Sequence, residues 1–365
     1  MGCGGDRLKI LFHFVIPSGG METLNRHRFW ALLDGGSDSA FHYCFPGAGL
    51  GNAAGIPVFV GHGPDELRRA LFSDQYDALV VTTVFEHLGL VRELGYRNPV
   101  VFEIQGFGSV ERAREQMALA RPHVEQFADA VMVPPAPHLI GLAKEMWPRK
   151  PLYTMPVPFD LKRFRYRPKG ASFPPIVAWI GRIEANKNWR EFLLAGREIL
   201  SRTGNVRLMM FADLSLAPEA ERAEFGRALH GLGLAPHTEL YSNVRNRMMP
   251  DFLSAVSDSE GALLATSRVE SVHYGILEAM ACRCPVVTSD SDGVRQSVID
   301  GRTGLYYQLG SPAEAARAVL RLLEDPALRR KVTEEALRHL ERHFSPERFR
   351  TSFLGMLKDL GVRGP

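Results

Sequence analysis

Two glutamates that stand eight residues apart are the first residues whose spacing suggests chemistry. Glu270 and Glu278 fall in the stretch ESVHYGILEAMACRCPVV. The apolar run Ala262–Ala265 before it predicts a strand, and a helix is expected to begin near Val272–His273. Because a helix rises about 1.5 Å per residue, the two carboxylates would lie about 12 Å apart along its axis.

That distance is roughly the span from a hexose, across a diphosphate, to a ribose. Open amides and the dipole at a helix N-terminus favour a diphosphate, and carboxylates accept hydrogen bonds from sugar hydroxyls. The pair therefore suggests a nucleotide-sugar site, with Glu270 at the sugar and Glu278 at the ribose. The spacing leaves a plainer interpretation equally open, in which Glu278 lies on a helix surface and Glu270 beside the helix cap.

Two cations follow an earlier strand of the same predicted sheet and favour the first interpretation. In IVAWIGRIEANKN the strand Ile176–Ile180 ends before Gly181, and Arg182 and Lys187 lie in the following loop. A guanidinium can bind phosphate oxygens through two parallel hydrogen bonds, and an ammonium adds a compact charge. Together they can neutralise a leaving diphosphate without a metal.

These segments resemble motifs of one enzyme family, the retaining glycosyltransferase family 4. GRIEANKN resembles its G-R-x4-K segment, and ESVHYGILEAMACRCPVVTSDSDGVRQSVIDGRTGLYY resembles its E-x7-E block with the following D-G-x-T-G-L loop. IPSGGMETLNRHRFWALL resembles its N-terminal G-G-x-E loop and helix. The likeness spans most of residues 8–345 and is strongest over Gly181–Lys187 and Glu270–Tyr307. It implies the GT-B fold and retention of anomeric configuration.

The resemblance also implies a role for each matching residue. Arg182 and Lys187 would hold the donor diphosphate, Glu278 the ribose and Glu270 the sugar. The catalytic candidates are Arg182, Lys187 and Glu270, and we expect Arg182, Lys187 and helix N-termini to stabilise the charge that grows on the diphosphate. The further donor-binding candidates are Gly19, Gly20, Asn243, Val244, Ser271, Val272 and His273. Since no enzymatic nucleophile stands at the expected place, we expect same-face substitution, in which the leaving phosphate helps to deprotonate the acceptor.

Departures from the family pattern concern proton transfer and sugar contacts. Gln105 stands where the family often has a histidine, and an amide cannot titrate. Glu103 would point to the same face two residues earlier and is a candidate substitute, a strand-end carboxylate being the alternative. His273 replaces a common glycine and is expected to contact a donor hydroxyl or phosphate. His87 joins Glu103 and Gln105 as a candidate for lining the acceptor site.

Possible metal ligands have plainer interpretations. Asp290-Ser291-Asp292 mimics the D-x-D metal motif of another glycosyltransferase class, but Asp and Ser beside Gly favour a turn. His13 is interpreted as a core or rim histidine. The four cysteines are too scattered for a disulfide framework and are interpreted as small buried apolar residues: Cys3, Cys44, Cys282 and Cys284. We therefore expect no metal and no cofactor, the nucleoside diphosphate sugar being a co-substrate.

Short apolar runs alternate with longer helical patterns in both halves of the chain, which is typical of parallel sheets with crossover helices. The first-half strand candidates are Lys9–Ile16, Pro57–Val60, Ala78–Thr82, Val100–Ile104, Ala130–Val133 and Leu152–Met155. The second-half candidates are Ile176–Ile180, Val206–Phe211, Glu239–Tyr241, Ala262–Ala265, Pro285–Thr288 and Leu305–Tyr307. The main helices are expected at Ser109–Ala120, Trp189–Leu200, Pro312–Leu323, Pro326–Phe344 and Pro346–Leu360.

This pattern predicts an α/β fold of two Rossmann-like, doubly wound domains that face each other across a cleft. We expect an acceptor-binding domain over residues 1–160 and a proline-rich linker over residues 161–175. A nucleotide-sugar-binding domain would follow over residues 176–345, and a C-terminal helix over residues 346–365 would pack back on the first domain.

Composition limits the classes of protein further. The chain has 365 residues, of which 45% are hydrophobic and 23% charged, and the net charge of +3 argues against a nucleic-acid binder. No run approaches the roughly 18 apolar residues of a spanning helix. The apolar N-terminal run is interpreted as a first strand rather than a signal peptide. We expect a cytoplasmic protein, with peripheral contact at the inner membrane face left open.

The expected activity is transfer of a hexose-type sugar from a nucleoside diphosphate sugar, UDP favoured, to an acceptor hydroxyl. A carbohydrate, a lipid-linked sugar and a small molecule all stay open as acceptors, in polysaccharide, glycolipid or natural-product glycosylation. Two alternatives also stay open: a nucleotide-sugar epimerase or sugar phosphorylase on the same fold, and a non-catalytic nucleotide-sugar-binding module. A dehydrogenase is disfavoured because no G-x-G-x-x-G follows the first strand.

Overall fold

The computed structural model describes residues 7–107, 109–170 and 174–362, and the chain divides into two compact units. Unit 1 comprises Met1–Asp160 and His343–Pro365, and unit 2 comprises Leu161–Arg342. Each unit is built on a parallel β-sheet whose strands are connected by helices. Among the described residues, no helix combines the length and the apolar character that crossing a membrane would require.

Unit 1 contains a seven-stranded sheet in the order β3-β2-β1-β4-β5-β6-β7. Its strands are β1 (Lys9–Phe14), β2 (Asp38–Tyr43), β3 (Val58–Val60), β4 (Ala78–Thr82), β5 (Val100–Glu103), β6 (Ala130–Val133) and β7 (Leu152–Thr154). Its helices are α1 (Gly19–Leu33), α2 (Pro64–Leu71), α3 (Glu86–Glu93), α4 (Val110–Phe127), α5 (Pro137–Met146) and the C-terminal α12 (Pro346–Asp359). The strand order reverses between β1 and β4, where an open α/β sheet usually binds its ligand.

Alternating side chains of β1 fill two apolar layers, one on each face of this sheet. Leu11 belongs to the cluster that packs against α2 to α5. Ile10 and Phe12 belong to the opposite cluster, which includes Phe349 and Phe353 of α12. The Phe12 and Phe353 rings stack with their centroids 5.8 Å apart. Helix α12 is thus part of the core of unit 1.

Strand β2 is the element that the sequence pattern missed. Its sequence DSAFHY carries polar residues, and it is not among the predicted strands. In the structure Ser39 and His42 are both buried, because the strand lies inside the sheet between β1 and β3. The other predicted strands of this half are present, with ends that differ by at most two residues.

Unit 2 contains a six-stranded sheet in the order β10-β9-β8-β11-β12-β13. Its strands are β8 (Ile176–Ile180), β9 (Arg207–Ala212), β10 (Thr238–Ser242), β11 (Ala262–Ala265), β12 (Val286–Ser289) and β13 (Leu305–Tyr307). Its helices are α6 (Trp189–Thr203), α7 (Glu219–Gly231), α8 (Met249–Asp258), α9 (Tyr274–Ala281), α10 (Pro312–Glu324) and α11 (Pro326–His343). All six strands of this half occur where the sequence predicts them, within one residue at either end.

The described part of the predicted linker, residues 161–170, is held against unit 2. The Tyr166 amide donates to the Ala281 carbonyl at 3.1 Å, and the Tyr166 hydroxyl donates to Asp258 at 2.6 Å. Arg167 and Lys169 form ion pairs with Asp251 at 3.0 and 2.6 Å. This stretch is therefore a strap on helix α8 rather than a solvated connection.

The cysteines that the structure describes are unpaired and buried, as the sequence predicts: Cys44, Cys282 and Cys284. Cys3 lies outside the described residues.

Candidate functional site

The two loops that carry the predicted donor residues leave neighbouring strands of the unit 2 sheet. Strand β8 pairs with β9 on one side and with β11 on the other, so the strand order reverses between β8 and β11. The loops after β8 and β11 emerge side by side at the carboxyl edge of the sheet. Crevices at this point of an open α/β sheet are the usual ligand position.

A buried hydrogen-bond network fixes one loop to the other. The Trp179 indole donates to the Thr266 hydroxyl at 3.0 Å, and that hydroxyl donates to the Lys187 carbonyl at 2.9 Å. The Asn186 side chain donates to the Val269 carbonyl at 3.1 Å and accepts from the Val269 amide at 3.2 Å. These contacts hold the backbone at Lys187 next to the loop that leads to Glu270.

Lys187 and Glu270 form an ion pair in which the ammonium donates to the carboxylate. The two side chains are 17% and 9% exposed, so the pair is mostly, but not completely, removed from water. Burial alone would raise the pKa of Glu270. The positive charge of Lys187, the electrostatic interaction with His273, and hydrogen bonds from Lys187 and Ser267 together outweigh the effect of burial. They lower the pKa of Glu270 below its usual value. Glu270 is therefore a carboxylate at neutral pH.

Helix α9 begins beside this pair, with His273 as its cap residue. The His273 side chain makes no capping hydrogen bond to the described first turn, and the His273 carbonyl accepts from the Ile276 amide at 3.0 Å. Its imidazole lies over Gly275, where a Cβ atom would be 2.9 Å from the ring and 3.2 Å from Ile180. Burial lowers the pKa of His273 to about 4, although the charge of Glu270 acts in the opposite direction. His273 is thus neutral at pH 7.

The turn at Gly293 contacts the loop that carries Glu270. The Gly293 amide donates to the Glu270 carbonyl at 3.0 Å. A Cβ atom at Gly293 would lie 2.1 Å from that carbonyl oxygen and 2.3 Å from the Ser271 carbonyl oxygen. Glycine is therefore required here for close backbone approach, and the segment that mimics D-x-D leads into a 3-10 helix over Asp292–Gln296. Asp290 pairs with Arg295 at 2.8 and 2.9 Å.

Glu278 lies inside α9 rather than on its surface. It is 4% exposed, and the Asn246 side chain donates to its carboxylate at 2.6 Å. Asn246 follows β10, the strand that also leads to Asn243 and Val244. A carboxylate held in this way by an amide is oriented as well as buried.

The distance between Glu270 and Glu278 is not set by a continuous helix, although the sequence had predicted one. Helix α9 begins at Tyr274, so only the second half of the stretch from Glu270 to Glu278 is helical. The rise of a helix therefore does not set the distance between the two carboxylates. The start was expected near Val272–His273, whereas Ser271, Val272 and His273 form the loop and cap that precede the helix.

Other predicted donor residues are more open. Arg182 is 53% exposed and pairs with Glu184 at 3.1 Å, so its guanidinium can reorient at little cost. Asn243 is exposed and has a left-handed backbone with φ of 51°, and Val244 beside it is half-buried. In unit 1, Gly19 has φ of 57° at the start of α1, which glycine adopts without strain, and Gly20 is exposed next to it.

Glu103 does not face an acceptor surface. It is fully buried at the end of β5, where the Arg28 guanidinium binds both carboxylate oxygens. Thr82 donates to the same carboxylate at 2.7 Å, and the Gln105 amide also donates to it. The structure therefore supports the strand-end interpretation, and Glu103 is not placed to replace a titrating histidine.

His87 lies at the other candidate acceptor position and is half-buried at the start of α3. Its Nδ1 atom is 2.7 Å from His13 Nε2, so it is part of a row of imidazoles rather than an isolated side chain.

The first comparison with known proteins concerns the candidate residues of unit 2. Residues 174–325 match the family model for glycosyl transferases group 1. This range contains every candidate of unit 2 described above. An alpha-D-kanosaminyltransferase of Streptomyces kanamyceticus is 29% identical over 189 residues, which are 52% of this chain and 46% of that protein. A D-inositol 3-phosphate glycosyltransferase 2 of Catenulispora acidiphila is 28% identical over 195 residues, or 50% and 45% of the two chains.

The chain thus spans about half the length of the curated relatives that it matches. Solved structures cover nearly all of it. The crystal structure of Anabaena Alr3699/HepE in complex with UDP and glucose has a TM-score of 0.80 and 17% identity, over 97% of this chain and 100% of that one. Sucrose-phosphate synthase from Thermosynechococcus elongatus has a TM-score of 0.75 and 17% identity, over 97% and 99%. The predicted fold class of two Rossmann-like α/β domains is confirmed.

Sequence reasoning missed the residues that position the site. Asn186, Thr266 and Asn246 bind backbone or a carboxylate across elements that are far apart in the chain. The weak signals were their places next to predicted strands, Asn186 directly before Lys187 and Thr266 directly after β11. Asn246 lies three residues after the donor-binding candidate Asn243.

Proposed function

We propose that this protein is a group 1 glycosyltransferase that moves a hexose-type sugar from a UDP-sugar to an acceptor hydroxyl with retention of configuration. The observation that carries the proposal is the cluster in unit 2. Lys187, Glu270 and His273 lie at the N-terminal end of α9, and Glu278 lies further along the same helix. The family match over residues 174–325 supports the same activity.

Each group of the cluster has a chemical task in such a reaction. Lys187 carries three N–H donors, so it can keep Glu270 while it donates to a diphosphate oxygen. Arg182 can add its fork to the same diphosphate. The positive end of the α9 dipole would stabilise the negative charge that develops when the glycosidic bond breaks. Glu270 then accepts from a sugar hydroxyl, and neutral His273 donates to another without adding a charge.

Glu278 would hold the ribose hydroxyls, with Asn246 fixing the orientation of its carboxylate. Asn243 and Val244 would contact the base. The preference for UDP rests on Anabaena HepE, whose crystal structures are in complex with UDP and glucose and with UDP-glucose. The acceptor would be a carbohydrate, a lipid-linked sugar or a small molecule. The reaction as proposed takes place in the cytoplasm and needs no metal at the diphosphate.

The base of the donor can be tested before any acceptor is known. The purified protein is heated with UDP, GDP, ADP or dTDP. We expect UDP to raise the melting temperature most, since a ligand at 100 times its dissociation constant adds about 2.7 kcal/mol. A larger shift with another nucleotide would replace UDP in the proposal, and no shift with any of them would refute a nucleotide-sugar site.

Catalysis is tested by release of nucleoside diphosphate from UDP-hexoses, with and without a panel of acceptors. Lys187→Ala and Arg182→Ala are each expected to lower turnover by about 10²- to 10³-fold, because each removes a donor to the leaving group. The matched controls remove a paired cation elsewhere in unit 2, namely Lys169→Ala and Arg202→Ala, and should keep wild-type turnover. Near-normal rates in either site variant would refute the mechanism. A donor sugar that changes without acceptor would indicate an epimerase.

A further inference from the structure

A second cluster of side chains that can bind a metal lies in unit 1. His13 is in β1, His42 in β2, Cys44 directly after β2, and His87 at the start of α3 behind β4. Strand β1 lies between β2 and β4 in the sheet. The four residues therefore meet at the carboxyl edge where the strand order reverses, which is the usual ligand position of this kind of sheet.

The atoms of this cluster lie within reach of one ion. His13 Nε2 is 2.7 Å from His87 Nδ1, and His13 Nδ1 is 2.8 Å from His42 Nδ1. The ligand atoms of His13, Cys44 and His87 all lie within 4.8 Å of one another. Tetrahedral zinc with bonds of about 2.0–2.1 Å to nitrogen and about 2.3 Å to sulfur separates its ligand atoms by roughly 3.3–3.7 Å. Side-chain shifts of about 1 Å would close this geometry.

The burial and the hydrogen bonding of His13, Cys44 and His87 favour a common role as ligands of one ion. His13 is fully buried and Cys44 is 4% exposed, whereas His87 is half-buried and gives access from outside. His42 bonds the second nitrogen of His13, the position from which an outer partner fixes the tautomer of a metal-binding imidazole. The Nε2 atom of His42 is buried without a partner among the described residues. Two imidazoles and a thiolate are the ligand types that zinc prefers.

We propose that His13 Nε2, His87 Nδ1 and Cys44 Sγ bind a zinc ion, with a fourth position open to water or to a ligand hydroxyl and with His42 as the outer partner of His13. The site does not depend on the proposed function of unit 2. It replaces the expectation of a protein without metal. That expectation followed from spacing in the sequence, and no zinc-type spacing joins these three residues.

The test uses tag-free full-length protein with Cys3→Ser, stripped with a chelator and titrated with Co²⁺ and then Zn²⁺. We expect one Co²⁺ per chain, a near-ultraviolet thiolate-to-metal band, and displacement of Co²⁺ by Zn²⁺. Cys44→Ala should lose the band. His87→Ala should weaken binding by more than 100-fold, and His42→Ala by about 10- to 100-fold, as for other outer partners.

Two further variants separate loss of a ligand from loss of the fold. His87→Cys keeps a ligand at the half-buried position and should retain one Co²⁺ with a stronger thiolate band. His230→Ala removes an exposed imidazole of unit 2 and should change nothing. Circular dichroism confirms that each variant is folded. The proposal is overturned if the parent protein binds Co²⁺ no more tightly than His87→Ala, or if the band persists in Cys44→Ala. The histidines would then form only a row of hydrogen-bonded neutral rings.

Discussion

Each unit places a buried carboxylate near the carboxyl edge of its sheet and pairs it with a cation, but the two pairs differ in kind. In unit 1 the side chains of Arg28 and Glu103 are 2% and 1% exposed. In unit 2 those of Lys187 and Glu270 are 17% and 9% exposed. Arg28 binds both oxygens of its carboxylate, whereas Lys187 binds one through a single flexible ammonium.

This difference separates a pair that holds the fold from a pair that can bind a ligand. Glu103 also accepts from Thr82 and from Gln105, so its hydrogen-bonding capacity is already used inside the protein. Lys187 keeps N–H donors beyond its bond to Glu270, and it lies near the N-terminus of α9. A fully buried ion pair is costly to break, whereas a partly exposed one can exchange or share its partner.

The largest expected effect comes from breaking the fully buried pair of Arg28 and Glu103. Arg28→Ala leaves the Glu103 carboxylate buried without its cation and should lower the free energy of unfolding by about 3–5 kcal/mol. Urea unfolding followed by circular dichroism measures the loss. The double variant Arg28→Met/Glu103→Leu replaces the pair by apolar side chains and should recover most of it. A loss below about 1 kcal/mol for Arg28→Ala would show that the pair does not hold the fold.

The next effect distinguishes the unit 2 site by its pH dependence. Burial holds the pKa of His273 at about 4 in the folded protein, below the ordinary value of 6.5. The unfolded chain therefore binds one proton more between these values, so stability falls as the pH drops from 6.5 to 4. The slope from this residue is at most about 1.4 kcal/mol per pH unit, or about 3 kcal/mol in total.

His273→Gln removes the titrating ring and should flatten the curve of unfolding free energy against pH by that amount relative to the wild type. Urea unfolding at pH 7, 6, 5 and 4 measures both proteins. His13 and His42 also have lowered pKa values in unit 1, so the difference between the two curves is the informative quantity. Parallel curves for the two proteins would contradict a buried, neutral His273.

A third prediction asks whether the wetter pair serves a ligand. Lys187→Ala removes one charge-assisted hydrogen bond to the diphosphate, worth about 1.5–3 kcal/mol, so UDP should bind about 10- to 150-fold more weakly. Calorimetric titration with UDP measures the change. The folded fraction of Arg28→Ala should bind UDP like the wild type. Equal weakening in both variants would remove the distinction between the two pairs.

The sequence predicted those features that depend on local pattern. Most strands of unit 2 are apolar runs with turn residues after them, and all six occur within one residue of the expected bounds. Strand β2 has the opposite character, because its polar Ser39 and His42 are buried among neighbouring strands that no local window contains. The cysteines were predicted as buried because small apolar side chains usually are.

The charged residues of the site were predictable from the sequence, but the residues that position them by hydrogen bonds were not. Arg182, Lys187, Glu270 and Glu278 stand in short motifs with fixed spacing. Glu103 looked similar by alternation along its strand, but its partner Arg28 is on a helix 75 residues earlier. The Asn186 clamp and the Asn246 bond likewise join elements that are distant in sequence. Long-range pairing of this kind has no periodic signal, so only the fold reveals which carboxylates are already occupied.

The smallest effect compares two amides that each donate to a buried carboxylate. Asn246 donates to Glu278 at 2.6 Å in unit 2, and Gln105 donates to Glu103 in unit 1. Asn246→Ala and Gln105→Ala should each cost about 1 kcal/mol of stability, the net value of one hydrogen bond.

Only Asn246→Ala should also weaken the binding of UDP, by about 10-fold, because Glu278 then loses its orientation toward the ribose. Titration of both variants with UDP, and with a 2′-deoxy analogue of UDP that lacks one ribose hydroxyl, measures this. In the Asn246→Ala variant the two nucleotides should bind almost equally, whereas the wild type should prefer UDP. A preference of unchanged size in Asn246→Ala would mean that Glu278 reaches the ribose without Asn246, or that it does not reach the ribose at all.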